Sequence, residues 1–322
     1  VASQRSMAAD TRKCGKALKR VLLRVIYVCA LTMVRRFRLY LFFRRDPGIR
    51  QVHDGMAISH QRKILCVFAS FSIQNRVAGY AEYYLKKLCK AGCDIVFVST
   101  STEITRQDLT TLRDLCLTVV HRENHGLDFG SWKAGLLYSG VEWQKYEKII
   151  FVNDSCYAPM YSLQELLQKD GRGIVSITDS LEQEPHLMSY FLLCHQDVIR
   201  HPDFLKFWQN VRMVPTRLKG LIVQLYEIGF SRYFRKRGFD LKAVYPIAEI
   251  GHELGLSSAE IRKTNPTHRL WRFLIETKKC PVLKVDLFKR DFKTNNDDSW
   301  RKVVSATNYD IRLILEHQGF TE

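Results

Sequence analysis

The sequence predicts an α/β protein with a mainly parallel sheet that is covered by helices on both faces. Between residues 63 and 180, short apolar runs alternate with helical patterns. The runs are five to seven residues long and rich in strand formers, which is typical of strands buried on both faces. The chain has no internal repeat and no low-complexity tract. These observations favour one alternating α/β body.

The elements follow one another in a regular order. Strands are predicted at 63–69, 94–99, 117–121, 147–153 and 173–178. Helices are predicted at 77–91, 105–115, 130–139 and 163–168, the second capped by Thr102 or Thr105. Longer helices are predicted after residue 180, at 203–211, 216–237 and 267–278. Because ligands of such sheets bind beyond the carboxyl ends of the strands, the loops that follow the strands are the places to search.

The net charge of +17 is concentrated in an N-terminal arm, where residues 1–50 hold thirteen Lys and Arg against two Asp. The uncharged run Val25–Val34 has only ten residues, whereas a membrane span needs about 20. The preferred interpretation is a basic amphipathic helix over residues 13–43 that lies on an anionic membrane surface. A helix packed on the body is the first alternative. Nucleic-acid binding is the second, and no RNP, KH or zinc-finger pattern supports it.

The domain organisation follows from this arm. Asp46-Pro47-Gly48 ends it, and residues 46–60 are predicted to be a linker. We therefore expect an arm with its linker at 1–60 and a globular domain at 61–322, with halves at 61–180 and 181–322. The nine cysteines are scattered without a CxxC pair, and several lie in apolar runs, which indicates a reducing compartment.

The loop after the third predicted strand reads Asn-His-Gly-Leu-Asp-Phe-Gly-Ser-Trp-Lys from residue 124 and opens a helix. Gly126 and Gly130 would let the backbone approach a ligand, and Ser131 would cap the helix. The positive end of a helix suits a phosphate, with Lys133 close to it, and Asp128 could hydrogen-bond a ribose or a base. A glycine turn followed by a helix cap is the structural alternative.

Two further motifs could bind a metal or a phosphate. Asn153-Asp154-Ser155 ends the fourth predicted strand, where a carboxylate could hold the divalent metal of a diphosphate site. A simple Asx-turn is the alternative there. His268, in the first turn of a predicted helix, could reach a metal or phosphate, and a surface or capping role is the more common alternative for a lone His.

Taken together, these motifs resemble the rhamnan synthesis F family over roughly residues 63–290. The matching segments are 124–133 with Gly135-Leu136, 153–155 with Pro159, His186-Leu-Met-Ser-Tyr-Phe191, Glu227-Ile-Gly-Phe-Ser231, Asn265-Pro-Thr-His268 and Cys280-Pro-Val-Leu-Lys-Val-Asp-Leu287. The resemblance implies a GT-A-type glycosyltransferase that acts in the synthesis of rhamnose-containing lipopolysaccharide or cell-wall polysaccharide. Residues 61–180 would then be the nucleotide-sugar-binding half, and residues 181–322 the acceptor-side and C-terminal half.

The family motifs define an expected donor site and an expected metal. The nucleotide sugar would be bound by Asn124, Gly126, Asp128, Gly130, Ser131, Lys133, Asn153, Asp154, Ser155 and Lys284. A Mg or Mn ion would be held by Asp154 and His268. GT-A enzymes commonly place Asp-x-Asp at this strand end, whereas this chain has a single carboxylate there. Metal dependence therefore stays open.

The expected reaction is transfer of a sugar, L-rhamnose, to a lipid-linked or growing polysaccharide acceptor. Glu227 and Asp179 are the candidate bases for the acceptor hydroxyl, with a helix-surface carboxylate as the alternative role of Glu227. The expected location is cytoplasmic, peripheral on the inner face of the membrane, with no nucleic-acid partner. A non-catalytic glycan- or lipid-binding subunit with a degenerate fold is the alternative function.

Overall fold

The computed structural model describes residues 42–57, 62–288, 292 and 298–320. Residues 45–322 form one compact unit. The amphipathic helix expected at 13–43 lies almost wholly outside the described residues. Among the helices of the described ranges, none combines the length and the apolar composition that a bilayer span requires.

The described chain contains strands β1 to β11. In chain order they are β1 (Ile49–Asp54), β2 (Ile64–Ser70), β3 (Cys93–Ser99), β4 (Thr118–Arg122), β5 (Lys148–Asn153), β6 (Cys156–Tyr157), β7 (Ile174–Ser180), β8 (His186–Leu187), β9 (Phe191–Cys194), β10 (Leu241–Tyr245) and β11 (Leu283–Lys284).

The main sheet has the strand order β1-β4-β3-β2-β5-β9-β7-β10. Strands β4, β3, β2 and β5 are parallel neighbours, and β10 is parallel to β7. Strand β9 runs antiparallel between β5 and β7, β1 runs antiparallel to β4, and β8 pairs with the end of β7. Strands β6 and β11 form a separate antiparallel ladder. The predicted mainly parallel sheet is therefore confirmed.

The helices connect the strands and cover the sheet. They are α1 (Gly79–Lys90), α2 (Arg106–Leu115), α3 (Leu127–Tyr138), α4 (Gln164–Gln168), α5 (Gln196–Ile199), α6 (Pro202–Asn210), α7 (Lys219–Ile222), α8 (Ile228–Arg235), α9 (Ile247–Glu253), α10 (Ser258–Ile261), α11 (Pro266–Arg269), α12 (Trp271–Glu276), α13 (Ser299–Ser305) and α14 (Arg312–Gln318). Thr105 caps α2 by accepting from the Asp108 N–H, as predicted.

Helices pack on both faces of the sheet. Successive side chains of a strand point to opposite sides, so a buried strand contributes residues to the core on each face. Cys66 and Phe68 of β2 share one core with Tyr84 of α1. Val67, which lies between them, faces α3 instead. A Cβ on Gly135 of α3 would lie 2.5 Å from a Val67 methyl, so only glycine permits this close approach.

Three sequence-based element predictions are wrong. The linker expected at 46–60 contains β1, whose exposed edge position gives it only a weak apolar pattern. The helix expected at 216–237 is divided into a 3-10 turn, α7, a π-helical turn at Val223–Glu227 and α8. The helix expected at 267–278 is divided into α11 and α12. Two strands have no counterpart in the sequence-based prediction. Strand β9 is only four residues long, and in the edge strand β10 partly buried residues alternate with exposed ones.

Candidate functional site

A cleft of 880 Å³ opens at the carboxyl ends of β2 and β5. This is the edge at which an open parallel sheet binds its ligands. Ser70 ends β2, and Asp154 and Ser155 directly follow β5. Four basic side chains from later parts of the chain join them in the lining of the cleft: Lys219, His268, Lys284 and His317.

Asp154 is fixed in the cleft by the end of β2. Its Oδ2 accepts hydrogen bonds from the Ser70 hydroxyl at 2.7 Å and the Phe71 N–H at 2.9 Å. Its backbone carbonyl accepts from the Tyr80 hydroxyl at 2.8 Å. Burial raises the pKa of Asp154 from 3.8 to about 6, although both hydrogen bonds to Oδ2 oppose this shift. The carboxylate is therefore held in one orientation and is ionised at neutral pH.

The β6–β11 ladder places Lys284 at the same strand end. Lys284 pairs with Cys156, the residue after Ser155. Its ammonium donates to the Ser155 hydroxyl at 2.9 Å and lies 4.5 Å from the centre of the Tyr190 ring. The Ser155 hydroxyl donates in turn to Asn153 Oδ1. The third residue of the strand-end motif, Ser155, thus binds the ammonium of Lys284, whereas the second residue, Asp154, supplies the carboxylate.

Asp128 is joined to the same strand end. Asn153 Nδ2 donates to Asp128 Oδ2 at 2.9 Å, and Trp132 Nε1 donates to the Val152 carbonyl at 2.9 Å. Burial raises the pKa of Asp128, while Lys284 and the Asn153 bond oppose the shift. The charge of Asp128 also helps to raise the pKa of Asp154. The two predicted motifs therefore meet at one edge of the sheet, although the lining of the cleft includes Asp154 and not Asp128.

The two candidate bases have different surroundings. Glu227, at the end of the π-helical turn, accepts from the Ser189 N–H at 3.1 Å and the Ser189 hydroxyl at 2.9 Å. It lies close enough to Asp128 to raise the pKa of that carboxyl. Asp179 accepts from the Ile247 N–H at 2.7 Å, which fixes the start of α9. Asp179 thus has a structural task, whereas Glu227 belongs to the charged groups around Asp128.

The predicted phosphate loop is built differently from the expectation. Helix α3 begins at Leu127 with Gly126, at a φ of 74°, in the N-cap position, so Ser131 does not cap it. The buried Ser131 hydroxyl instead accepts from the Arg122 guanidinium at 3.0 Å. A Cβ on Gly130 would lie 2.3 Å from a backbone carbonyl of the preceding loop. These glycines therefore allow close packing within the protein.

Lys133 lies in the interior, with 1% of its surface exposed. Its ammonium donates to the backbone carbonyls of Arg45 at 2.8 Å, Gln209 at 3.2 Å and Val211 at 2.7 Å. An ammonium has three donors, so none is left for a phosphate. Burial and two nearby Arg side chains lower the pKa of Lys133 to about 8. The expected phosphate contact is thus replaced by a structural role, and Asn124 in the same loop also lies outside the cleft lining.

His268 in α11 lines the cleft together with Asp154, as the sequence analysis expected. Within the described residues, no group of three or more His, Cys, Asp or Glu side chains could hold a metal ion. Magnesium often needs only one or two protein carboxylates when substrate phosphates supply the other ligands. A divalent ion that binds together with a diphosphate would therefore need few protein ligands, and Asp154 and His268 are two side chains of metal-binding type in the same lining.

Sequence reasoning missed one wall of the cleft. Helix α14, near the C-terminus, contributes Glu316, His317 and Gln318 to the lining. His317 Nδ1 and the Tyr157 hydroxyl are 2.7 Å apart, which ties α14 to β6. The sequence of α14 contains no motif that predicts a place in the cleft. Ser70 could be predicted because it ends a strand, whereas no sequence motif includes Lys219.

The chain matches the family model described as rhamnan synthesis protein F over residues 95–321. It belongs to this family. Virulence protein VirA of Vibrio anguillarum is a relative with 25% identity in an alignment of 208 positions that covers 58% of this chain and 67% of VirA. Family membership and the α/β fold together support sugar transfer from a nucleotide-sugar donor.

Solved glycosyltransferase structures show distant similarity. GlyE of Streptococcus pneumoniae TIGR4 aligns with 80% of this chain and 63% of its own, with a TM-score of 0.40 and 14% identity. The mannosyltransferase PcManGT of Pyrobaculum calidifontis, solved with GDP-Man and Mn²⁺, aligns with 53% of this chain and 52% of its own. Its TM-score is 0.29, with 12% identity.

Proposed function

We propose that the protein is a glycosyltransferase that moves L-rhamnose from a nucleotide-diphosphate donor to a lipid-linked or growing polysaccharide acceptor. The observation that carries the proposal is the cleft at the sheet edge, where Asp154 lies in the same lining as Lys284 and His268. Membership in a rhamnan synthesis family supports the choice of sugar. The cleft volume of 880 Å³ is within the usual range for a ligand of nucleotide-sugar size.

In this proposal the donor diphosphate binds among the cations of the cleft. Lys284 lies beside the strand end and Lys219 comes from α7, whereas Asp286 and Glu316 also line the cleft. Sugar transfer leaves negative charge on the departing diphosphate. Preorganised positive groups stabilise such charge most strongly because they need no rearrangement during the reaction. A bound Mg or Mn ion, held by Asp154 and His268, would neutralise further diphosphate charge.

Glu227 is the better of the two candidate bases for the acceptor hydroxyl. Its carboxylate is oriented by Ser189 and lies near Asp128, which is bonded to the strand end through Asn153. Asp179 accepts the N–H that begins α9, so a role as base would compete with that bond. A base must be within hydrogen-bond reach of the hydroxyl that it deprotonates. An acceptor bound on the Asp128 side of the strand end is the pose that this choice requires.

The alternative is a non-catalytic glycan- or lipid-binding subunit. The single carboxylate of the strand-end motif is the observation that favours it. A release assay separates the two functions. Purified protein is incubated with nucleotide-activated rhamnose and with other nucleotide sugars, each with and without Mg²⁺ or Mn²⁺, and free nucleoside diphosphate is measured. If none of the nucleotide sugars gave free nucleoside diphosphate under any condition, the result would favour the binding subunit.

The same assay tests the cleft through Lys284→Gln. Losing a charge-assisted hydrogen bond costs roughly 1.5–3 kcal/mol, so we expect the donor KM to rise on the order of tenfold to a hundredfold. Lys302→Gln is the matched control, because Lys302 is exposed on α13 and outside the cleft lining. Wild-type kinetics for Lys284→Gln would remove this lysine from the donor site.

A further inference from the structure

A second cavity, of 710 Å³, lies against the other end of the sheet. It is bounded by the region of α4 and by residues 279–281. Its floor is formed by β7, β9 and the edge strand β10, with Val175, Ile177, Leu193, Val244 and Tyr245 among the lining residues. Ile177 and Leu193 are fully buried beneath the floor, whereas Val175 and Tyr245 are partly exposed and Val244 is 39% exposed. The open hydrocarbon surface of the floor therefore lies mainly along β10 and its neighbour β7.

The rim of this cavity is basic. Four cations line it, Lys169, Arg172, Lys242 and Lys279, against two acids, Glu165 and Asp170. Within the described chain, no ion pair involves Lys169, Lys242 or Lys279. Lys279 lies 5.5 Å from the Tyr161 ring and has a positive φ of 56°, which is uncommon for a residue with a side chain. Arg172 is paired with Asp197, and the rim keeps two more cations than acids, with the excess on lysines that have no ion pair in the described part of the chain.

We propose that this cavity binds an anionic lipid, with a hydrocarbon chain on the apolar floor and a phosphate group among the lysines. A small polar anion would leave the floor exposed to water, and a neutral chain would leave the lysine charges without counterions. An amphiphile with one anionic group satisfies both surfaces. The volume is suitable for a head group with part of a chain.

The cavity and the cleft share one segment of chain. Lys279 and Pro281 line the cavity, whereas Lys284 and Val285 line the cleft. Five residues of extended chain span at most roughly 17 Å, so the lipid phosphate would lie within a few sugar lengths of the proposed donor site. Binding itself does not depend on the proposed transfer function and is measured without it.

The test uses the full chain and decyl phosphate below its micelle concentration, with binding measured by calorimetry. The variant Lys169→Gln/Lys242→Gln/Lys279→Asn removes the uncompensated charges, and Asn tolerates a positive φ at position 279. We expect affinity to fall roughly fivefold per lysine and on the order of a hundredfold in total. The matched control is Lys206→Gln/Lys263→Gln/Lys302→Gln, which removes the same charge from exposed positions outside the cavity.

The floor is tested separately at Val244. Val244→Glu places a charge on the apolar surface and should weaken decyl phosphate binding at least tenfold, whereas the isosteric Val244→Thr should change it by less than about threefold. Because Val244 is partly exposed, both variants should fold, and the thermal midpoint checks this.

Three results would overturn the proposal. The first is equal loss of affinity in the cavity variant and its charge-matched control. The second is inorganic phosphate binding as tightly as decyl phosphate, which would indicate a simple anion site. The third is a stronger effect of Lys284→Gln than of the triple cavity variant, which would place the probe in the cleft.

Discussion

Asp154 illustrates how the fold gives a single side chain an unfavourable environment that function could use. The carboxyl is held by Ser70 and Phe71, but burial still raises its pKa to about 6. A folded-state pKa above the unfolded value of 3.8 means that the native state binds this proton more tightly. The stabilisation is complete below about pH 4, and it is lost as the pH rises to about 6.

We therefore predict two effects of Asp154→Asn. The free energy of unfolding should exceed that of the wild type above pH 6, by no more than about 3 kcal/mol, because Asn keeps an acceptor for Ser70 and Phe71 without the buried charge. The difference should vanish towards pH 4. Turnover at neutral pH should fall on the order of 10²- to 10³-fold, the usual effect of losing one preorganised electrostatic group.

The measurements are thermal denaturation at a series of pH values and donor turnover at the same values. Wild-type turnover should rise through about pH 6 as Asp154 ionises, and this step should be absent from the residual activity of the variant. Asp114→Asn, which makes the same change at an exposed position of α2 outside the cleft lining, serves as the matched control. Unchanged turnover in Asp154→Asn would leave the carboxylate with the role of an Asx-turn.

Lys133 and Lys284 show that the same residue type can have opposite roles. Both were candidates for the donor phosphate. Lys133 directs all three donors to backbone carbonyls, whereas Lys284 bonds to Ser155 in the lining of the cleft. The difference depends on which face of an element each lysine occupies.

At the scale of elements, the start of α3 determines where Asp128 lies. Gly126 takes a positive φ, and Gly130 packs against the carbonyl of His125. This tight turn brings the first turn of α3 to the end of β5, where Asn153 bonds to Asp128. The glycines of the motif therefore act on the site through backbone packing.

Gly130→Ala should destabilise the protein strongly, because its Cβ would lie 2.3 Å from the His125 carbonyl oxygen. Overpacking of this kind typically costs about 1–3 kcal/mol. Gly220→Ala is the matched control, since no heavy atom lies within 4 Å of the added Cβ and Gly220 is in α7. We expect this control to be neutral or to raise the thermal midpoint, because Ala favours helices by about 1 kcal/mol over Gly.

Both variants are compared with the wild type by thermal and urea denaturation. If Gly130→Ala were as stable as Gly220→Ala, the α3 turn would have to relax without cost, and the packing role of Gly130 would be wrong.

For the whole molecule, the boundary of the folded body lies earlier than the sequence predicted. Residues 45–322 form one unit, which includes β1 at the edge of the sheet. Arg45 and Pro47 already belong to it, because their carbonyls accept from Lys133 and Arg122. A deletion that tests the arm should therefore end at residue 44.

We predict that removing residues 1–44 leaves a folded body and weakens binding to anionic vesicles. The reason is that the arm holds most of the net charge, whereas all strands of the described sheet lie beyond it. The measurements are circular dichroism and sedimentation with vesicles that contain anionic lipid, with neutral vesicles as the control. Undiminished sedimentation of the shortened protein would locate the membrane contact in the body, with the basic cavity as its first candidate.

The sequence by itself determined the central sheet, the family and the strand-end carboxylate. Strands β2, β3 and β5 are continuous apolar runs that local pattern identifies, because both of their faces are buried. Asp154 follows such a run directly. The edge strands β1 and β10 have no comparable pattern, because one side of each faces solvent or a loop.

Only the tertiary structure decided which polar side chains meet. Lys284 bonds to Ser155 across 129 positions, and His317 reaches Tyr157 across 160. Local periodicity carries no information about such pairs, since they depend on how distant elements pack. The same packing turned Lys133 and Ser131 into the interior while it left Asp154 in the cleft. The sequence therefore predicts which reactive residue lies at a strand end, but only the packing of distant elements determines which side chains surround it.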